Sequence, residues 1–348
     1  MADRIYLVTG ASGHLGNQVV RRLLDRGEEV RCLIVEEELP LSLQGLDLNV
    51  YHGDVRNRSS IEAMFQGLDG KEIYFLHLAS MISIASKVDP LLKEVNVGGT
   101  INVIELCKKY QVKRLLYCSS VHAIPERKNN APINELDVFS PDWVHGAYAK
   151  TKAIATQLVM EAGHSGLDVV VVQPSGIIGP YDYMAQGRLN QLMATLVNRR
   201  HLFLVHGGYD IVDVRDVAKG LLAAVDRGRS GECYILSNKY CSITELIQLA
   251  SESSGIKVYR FYVAMFLARM FAPITEWWAK LRRKRPLYTP YALYTLRSNS
   301  NLSHKKASKE LGYSTRPIEE TIQDTLDFIL EQQAKAKLIG NGVASNRI

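Results

Sequence analysis

Apolar residues in the first half of the chain fall into short blocks separated by stretches with a helical repeat. Ile5 to Val8 is apolar throughout and stops at a glycine-rich turn, an amphipathic stretch runs from His14 to Arg26, and Glu29 to Val35 alternates as a second strand. Leu48 to Tyr51 reads as a third strand leaving through Gly53-Asp54-Val55, and Ser59 with Glu62 three residues on forms a capping box for the next helix. Ile73 to Ala79 is an unbroken apolar run, as a strand covered on both faces should be. Gly98 to Tyr110 is helical, Lys113 to Ser119 is a strand, Tyr148 to Ala162 is an amphipathic helix and Val169 to Gln173 is another buried strand. This alternation predicts an α/β fold: a doubly wound parallel sheet with helices on both faces and its ligand at the carboxyl ends of the strands.

From Pro174 the pattern changes. Pro, Gly and Tyr cluster between Pro174 and Tyr183, a loop signature, and the later elements read as mostly helical: 188–199, 214–226, 242–254, 261–283, 303–311 and 317–335. The expected division is a cofactor-binding half over 1–175, joined again by segments around 207–235, then a smaller substrate half over 176–335 and a tail over 336–348.

Composition narrows the class. With 348 residues, 47% of them hydrophobic, the chain can bury a substantial core, which excludes a disordered protein. The net charge of +6 is concentrated in runs such as Lys280 to Arg285, which read as solvated surface and give no reason to expect nucleic acid as a partner. Cysteines 32, 107, 118, 233 and 241 form no Cys-x-x-Cys pair and no cluster with metal-ligand spacing, so buried thiols in a reducing compartment are expected and a metal is not. No basic-then-apolar leader and no uncharged run of about 18 residues occurs, which points to a cytoplasmic protein.

Two stretches carry candidate chemistry. In Thr9-Gly10-Ala11-Ser12-Gly13-His14-Leu15-Gly16 the glycines allow a tight turn, close approach to a pyrophosphate and helix-on-strand packing, while the helix start offers free N–H groups and a positive dipole end. The spacing is Gly-x-x-Gly-x-x-Gly, and glycine triplets also form ordinary turns. In Tyr148-Ala149-Lys150-Thr151-Lys152, the phenol and the ammonium four residues apart share a helix face, where a fixed positive charge favours phenolate and fits Tyr148 for proton exchange. Ser119-Ser120 closes a strand and puts a hydroxyl at the same end of the sheet. Taken singly, each reads more simply as an ordinary turn, helix or strand end; their conjunction is the signal.

Thr9 to Gly16, Gly53 to Val55, His77 to Ser80, Val95 to Thr100, Tyr117 to Ser120, Tyr148 to Lys152, Gln173 to Pro180, Val212 to Ala218 and Lys306 to Tyr313 resemble, in order and spacing, segments of the extended short-chain dehydrogenases/reductases. The resemblance spans nearly the whole chain. It implies a Rossmann-type fold, a nicotinamide dinucleotide and a catalytic set of Ser120, Tyr148 and Lys152, with Lys152 also holding the nicotinamide ribose. It further implies that Gly10, Ser12, Gly13, His14, Leu15 and Gly16 cradle the diphosphate and that Asp54 and Val55 lie against adenine. Leu78, Ala79, Ser80 and Asn96 would line the dinucleotide channel, and Pro174, Ser175, Gly176 and Ile177 would meet the nicotinamide amide. Glu36, 20 residues beyond Gly16, favours NAD over NADP; yet the family's discriminating position falls one or two residues earlier, at Ile34 and Val35, and Glu36 to Glu38 also read as a solvated turn. A homodimer is the expected assembly.

The family divides by substrate. Nucleotide-sugar members carry cationic or amide residues where this chain has Gln173, Gly176 and Ile211, so the usual partners of a second diphosphate are missing. The apolar stretch Val258 to Phe271, followed by Trp277, Trp278 and the basic run, fits a wall for a flat apolar substrate, a membrane-surface segment or a core helix. Together with Pro286 to Pro290 it resembles the 3β-hydroxysteroid dehydrogenase and dihydroflavonol-reductase-like branch. The expectation is an oxidoreductase that interconverts an alcohol and a carbonyl on a moderately apolar, steroid- or flavonoid-like small molecule. The alternatives are a nucleotide-sugar epimerase or dehydratase with tightly bound NAD, and a non-enzymatic dinucleotide sensor.

Overall fold

The structure is a computed structural model describing residues 3–83, 89–183, 188–198, 201–270, 289–298 and 300–345. Seven parallel strands form the main sheet: β1 (Arg4–Thr9), β2 (Glu29–Ile34), β3 (Asn49–His52), β4 (Glu72–His77), β5 (Arg114–Cys118), β6 (Val169–Pro174) and, returning from late in the chain, Glu232–Leu236. The last of these lies at one edge beside β6 and β3 lies at the other, while β1 sits between β2 and β4. The chain therefore winds outward in one direction through β2 and β3, then restarts at β4 and winds the other way. The crevice beyond Thr9 and His77, where the direction reverses, is where this architecture binds ligands.

Alternation along the strands divides the core. Leu7, Phe75, Leu115 and Val171 face α4 (Gly99–Lys109) and α5 (Ala147–His164), whereas Val8, Leu76, Leu116 and Val172 face α1 (His14–Asp25) and a helix over Val214–Arg227. Both faces are covered, which explains why the central strands read as continuous apolar runs. A third core, including Ile178, Leu204, Ile211, Ile247, Leu293 and Ile322, holds the later part of the chain together.

That half contains more strand than expected. Gly176–Ile178, Gly208–Asp213 and Lys239–Ser242 form a three-stranded sheet, and His201–Leu204 pairs in parallel with Tyr259–Tyr262. The helix expected over 261–283 thus begins as a strand, since Tyr-Arg-Phe-Tyr is made of strand-forming residues and its exit is tied by Val263 N–H to Leu204 O. Helix appears only over 265–270, and 271–283 lies outside the described residues. The capping box at Ser59 does not form either. Asn57, with an extended backbone, accepts the Ser59 N–H at 3.0 Å and caps the Arg58–Glu62 helix in its place. The final helix runs Ile318–Ser345, through most of the stretch expected as a tail.

The two halves are stitched by buried ions. Asp213, fully buried, caps the Val214–Arg227 helix through Arg215 N–H at 2.7 Å and takes the Arg215 guanidinium at 2.7 Å and that of Arg316 at 3.5 Å. Arg215 continues to Asp324 at 2.6 Å and Arg316 to Asp216 at 3.0 Å, which anchors the final helix. Removing one partner of a buried cluster leaves the others uncompensated. Asp213→Ala is expected to lose about 3–5 kcal/mol of unfolding free energy in urea; an unchanged midpoint would contradict this role.

Candidate active site

The helix that carries Tyr148 starts at a glycine for a steric reason. Gly146 has φ of 93°, and a Cβ there would stand 2.2 Å from the Tyr291 ring, so the chain turns into α5 only with glycine at that point. Tyr148 then falls in the first turn. It is buried, and the loss of water pushes its phenol well above its ordinary value while the hydroxyls of Ser120 and Ser80 act in the opposite direction. Ser120 follows β5 and also accepts the His122 N–H at 3.2 Å, and the His122 ring stands edge-on to Tyr148 at 6.1 Å. The neighbouring Ser119 is occupied elsewhere, paired with Thr156 at 2.5 Å.

One turn further on, Lys152 is almost completely buried. Its ammonium donates to Cys118 O at 2.8 Å and to Tyr117 Oη at 3.3 Å, and sits 4.8 Å from the Tyr117 ring centre. Burial lowers it to about 8. The expected arrangement therefore needs amending: Tyr148 and Lys152 share a helix face, but the ammonium is aimed at the end of β5, and the groups that favour the phenolate here are the two serines.

A chain of hydrogen bonds runs from the glycine-rich turn to this helix. Thr9 Oγ1 lies 2.7 Å from His77 Nδ1, His77 Nε2 lies 3.1 Å from Thr100 Oγ1, and Thr100 donates to Asn96 O at 2.7 Å. The Asn96 amide donates to Thr151 at 3.0 Å and to Met81 O at 2.9 Å, and its oxygen accepts from Met81 N–H at 2.8 Å and Ser80 at 3.2 Å. Burial beside Lys152 holds His77 at about 3, so its imidazole is neutral and acts as a bridge.

The turn itself fits a diphosphate. A Cβ on Gly10 would come 2.6 Å from Ala79 N and one on Gly16 would come 2.0 Å from Gly10 O, so the backbone lies as close as glycine permits. Helix α1 begins after Gly13 with no side-chain cap and no acid in its first turn, which leaves the N–H groups around His14 and Leu15 for an anion. Ser12 donates to both oxygens of Glu36 at 3.2 and 3.3 Å, setting that carboxylate at the rim of the same turn. The remaining expected contacts vary in availability. Asp54 is held by Arg56 at 2.7 Å, Val55 packs against Gly99, and Leu78 N–H and Ala79 N–H are tied to Thr9 at 3.1 and 3.3 Å. Pro174 ends β6, Ser175 N–H is used by Leu236 O at 3.1 Å, and Gly176 and Ile177 belong to a strand paired with Gly208–Asp213.

A cleft of about 270 Å³ opens beside the start of α5, its walls including His122, Ala149, Ser175, Asp210, Tyr291 and Tyr294. Three carboxyls, Glu126, Asp142 and Asp210, reach it, and no Lys or Arg lines it among the described residues. Sequence reasoning named His77 only within a family segment, without a role, and missed His122, Asp210 and Tyr291. Only His77 left a signal, a lone imidazole ending an otherwise apolar strand.

The profile of the NAD dependent epimerase/dehydratase family matches residues 6–237. The chain belongs to this family. It is 31% identical over 308 residues, 88% of this chain and 92% of the other, to the sterol demethylase protein B of Methylococcus capsulatus. It is 29% identical over 332 residues (94% and 95%) to a putative dihydroflavonol 4-reductase of Synechocystis, and 26% over 369 residues (96% and 97%) to the 3 beta-hydroxysteroid dehydrogenase type 7 of Mus musculus. The solved structure of gox2253 superposes with a TM-score of 0.79 at 27% identity, covering 94% of this chain and 98% of that one. The family member described here is an NAD(P)-dependent oxidoreductase acting on CH–OH groups, with a Rossmann-type sheet and a steroid-dehydrogenase-like set of relatives.

Asp210 offers a direct test of the cleft's electrostatics. Burial raises its carboxyl to about 6 against the opposing hydrogen bond from Asn238 N–H. Between the unfolded carboxylate value of about 3.9 and 6 the folded state holds the extra proton, so rising pH favours unfolding through that window, by at most about 1.4 kcal/mol per unit. Asp210→Asn, which keeps the acceptor, is expected to remove this fall in urea-unfolding free energy and to exceed the parent above pH 6; parallel pH profiles would contradict the assignment.

Proposed function

We propose that the protein interconverts a secondary alcohol and a ketone on an apolar, sterol- or flavonoid-like substrate, with Tyr148 exchanging the proton. The observation that carries this reading is the buried phenol of Tyr148 beside the Ser120 hydroxyl, with the His122 ring edge-on to it and that ring forming part of the wall of a cleft lined by aromatic and hydroxyl groups. The names borne by the relatives, a sterol demethylase protein B, a 3 beta-hydroxysteroid dehydrogenase and a putative dihydroflavonol 4-reductase, point to polycyclic substrates of this kind. A nucleotide sugar would bring a diphosphate into a cleft that offers three carboxyls and, among the described residues, no cation to meet it.

The residues divide the work by position. Gly10, Gly13 and Gly16, with the start of α1, would hold the diphosphate of a nicotinamide dinucleotide, which when bound supplies hydride exchange at its ring. Ser120 holds the substrate oxygen and steadies charge as it shifts there, and Tyr148 gives its proton to that oxygen in reduction or takes it in oxidation. Lys152 fixes α5 against β5 and keeps a positive charge one turn from the phenol. Glu36 favours NAD: a carboxylate at the rim of the cradle accepts ribose hydroxyls and repels a 2′-phosphate.

Tyr148→Phe is expected to lower kcat for a 3-ketosteroid, followed by NADH absorbance, by about 10²–10⁴-fold with little change in NADH affinity. Full turnover in this variant would end the assignment of Tyr148. The parent protein is expected to use NADH at least about tenfold better than NADPH, and Glu36→Gln to narrow that ratio; a parent that prefers NADPH would reverse the role of Glu36.

A further inference from the structure

The ribbon formed by His201–Leu204 and Tyr259–Tyr262 breaks the ordinary rule for a surface strand pair. Leu202 and Leu204 face the third core, so residues alternating with them should be polar. Instead the outward register places Phe203 opposite Phe261 with ring centres 5.5 Å apart, and Phe203 is 65% exposed. The helix over 265–270 continues the pattern. Met265 and Ala268 pack on the core, while Phe266 and Met270, one turn apart on the other face, are 69% and 58% exposed. Large apolar side chains gathered on one outer face mark a contact surface.

Charge indicates the occupant. From Ile256 to Met270 the chain has three cations, Lys257, Arg260 and Arg269, all exposed, and no acid. The sequence from 271 to 288 adds Trp277, Trp278 and five cations between Lys280 and Arg285 against the single acid Glu276. Aromatic side chains interleaved with cations suit the headgroup layer of an anionic bilayer, where rings enter the boundary and Lys and Arg meet phosphates. A second copy on a two-fold axis would bring the same cations together, which disfavours self-association here. Among the described residues no helix is long and apolar enough to cross a membrane, so the contact lies at the surface.

We propose that this face, carrying Phe203, Phe261, Phe266 and Met270 with Arg269 beside them, docks on an anionic lipid bilayer.

The test is flotation of the full chain with phosphatidylcholine vesicles, pure or containing about one-third phosphatidylglycerol, at low and high salt. The parent is expected to float with the anionic vesicles and to be released by salt. Phe266→Ser with Met270→Ser should weaken binding at least about tenfold, and Arg269→Glu at least about fivefold, with thermal midpoints unchanged because these side chains are exposed. Failure of the parent to float, equal binding by the variants, or a dimer in sedimentation equilibrium that the Phe266→Ser, Met270→Ser variant dissociates would each overturn the proposal. NADH-linked turnover of a detergent-dispersed substrate is read separately, so the vesicle result leaves the reaction assignment where it stands.

Discussion

The site depends on a buried ammonium. Lys152 has given up nearly all its water and receives in exchange one strong acceptor, the Cys118 carbonyl at 2.8 Å, with the Tyr117 hydroxyl and ring as weaker partners. That carbonyl is at the end of β5, where the next N–H, that of Ser119, has already turned to Val172 O. The cation therefore fastens α5 to the carboxyl edge of the sheet at one point. Thr156, one turn on, bonds Ser119, and Thr151 bonds Asn96, so residues on one side of α5 are all tied down. Tyr148 has no choice of position left. A phenol placed by three such ties is preorganised, which is the condition for proton transfer to a specific substrate oxygen.

The same ties reach the nucleotide cradle. Thr9 belongs to the strand that ends in Gly10, and through His77, Thr100 and Asn96 it connects to the helix bearing Tyr148 and Lys152. A neutral imidazole serves this position because it meets a hydroxyl on each side and carries no charge beside Lys152. On the outer side, His14 Nε2 lies 2.9 Å from Pro180 O and the Asn17 amide donates to Tyr181 O at 3.2 Å, so the first turn of α1 is fixed to the loop that opens the substrate half. The glycine-rich turn, Tyr148 and the Pro180–Tyr181 loop form one connected body.

Much of this was legible in the residues. Strands that must be apolar on both faces are easy to see, and glycines at 10 and 16 are required by close backbone approach that no other residue permits. The pairing of Tyr148 with Lys152 follows from helical period alone. The direction of the Lys152 side chain does not, because it is decided by a carbonyl more than thirty residues away. The substrate half was less legible: its strands are three to six residues long, too short for a period to declare itself, and Tyr259–Tyr262 merges with an apolar stretch that reads as helix. Asp210 gave no sign, since a single Asp in a strand looks like any solvent-facing residue until its neighbours bury it.

The most direct measurement of the buried cation is an NMR titration of protein labelled with ¹³C at lysine Cε, the Lys152 signal being the one missing from a Lys152→Arg sample. A midpoint near pH 8, set apart from the other lysines near their ordinary 10.4, is the result expected of an ammonium stripped of water at the end of β5. A midpoint among the others would mean that Lys152 is solvated, and the placement of Tyr148 derived from it would fall.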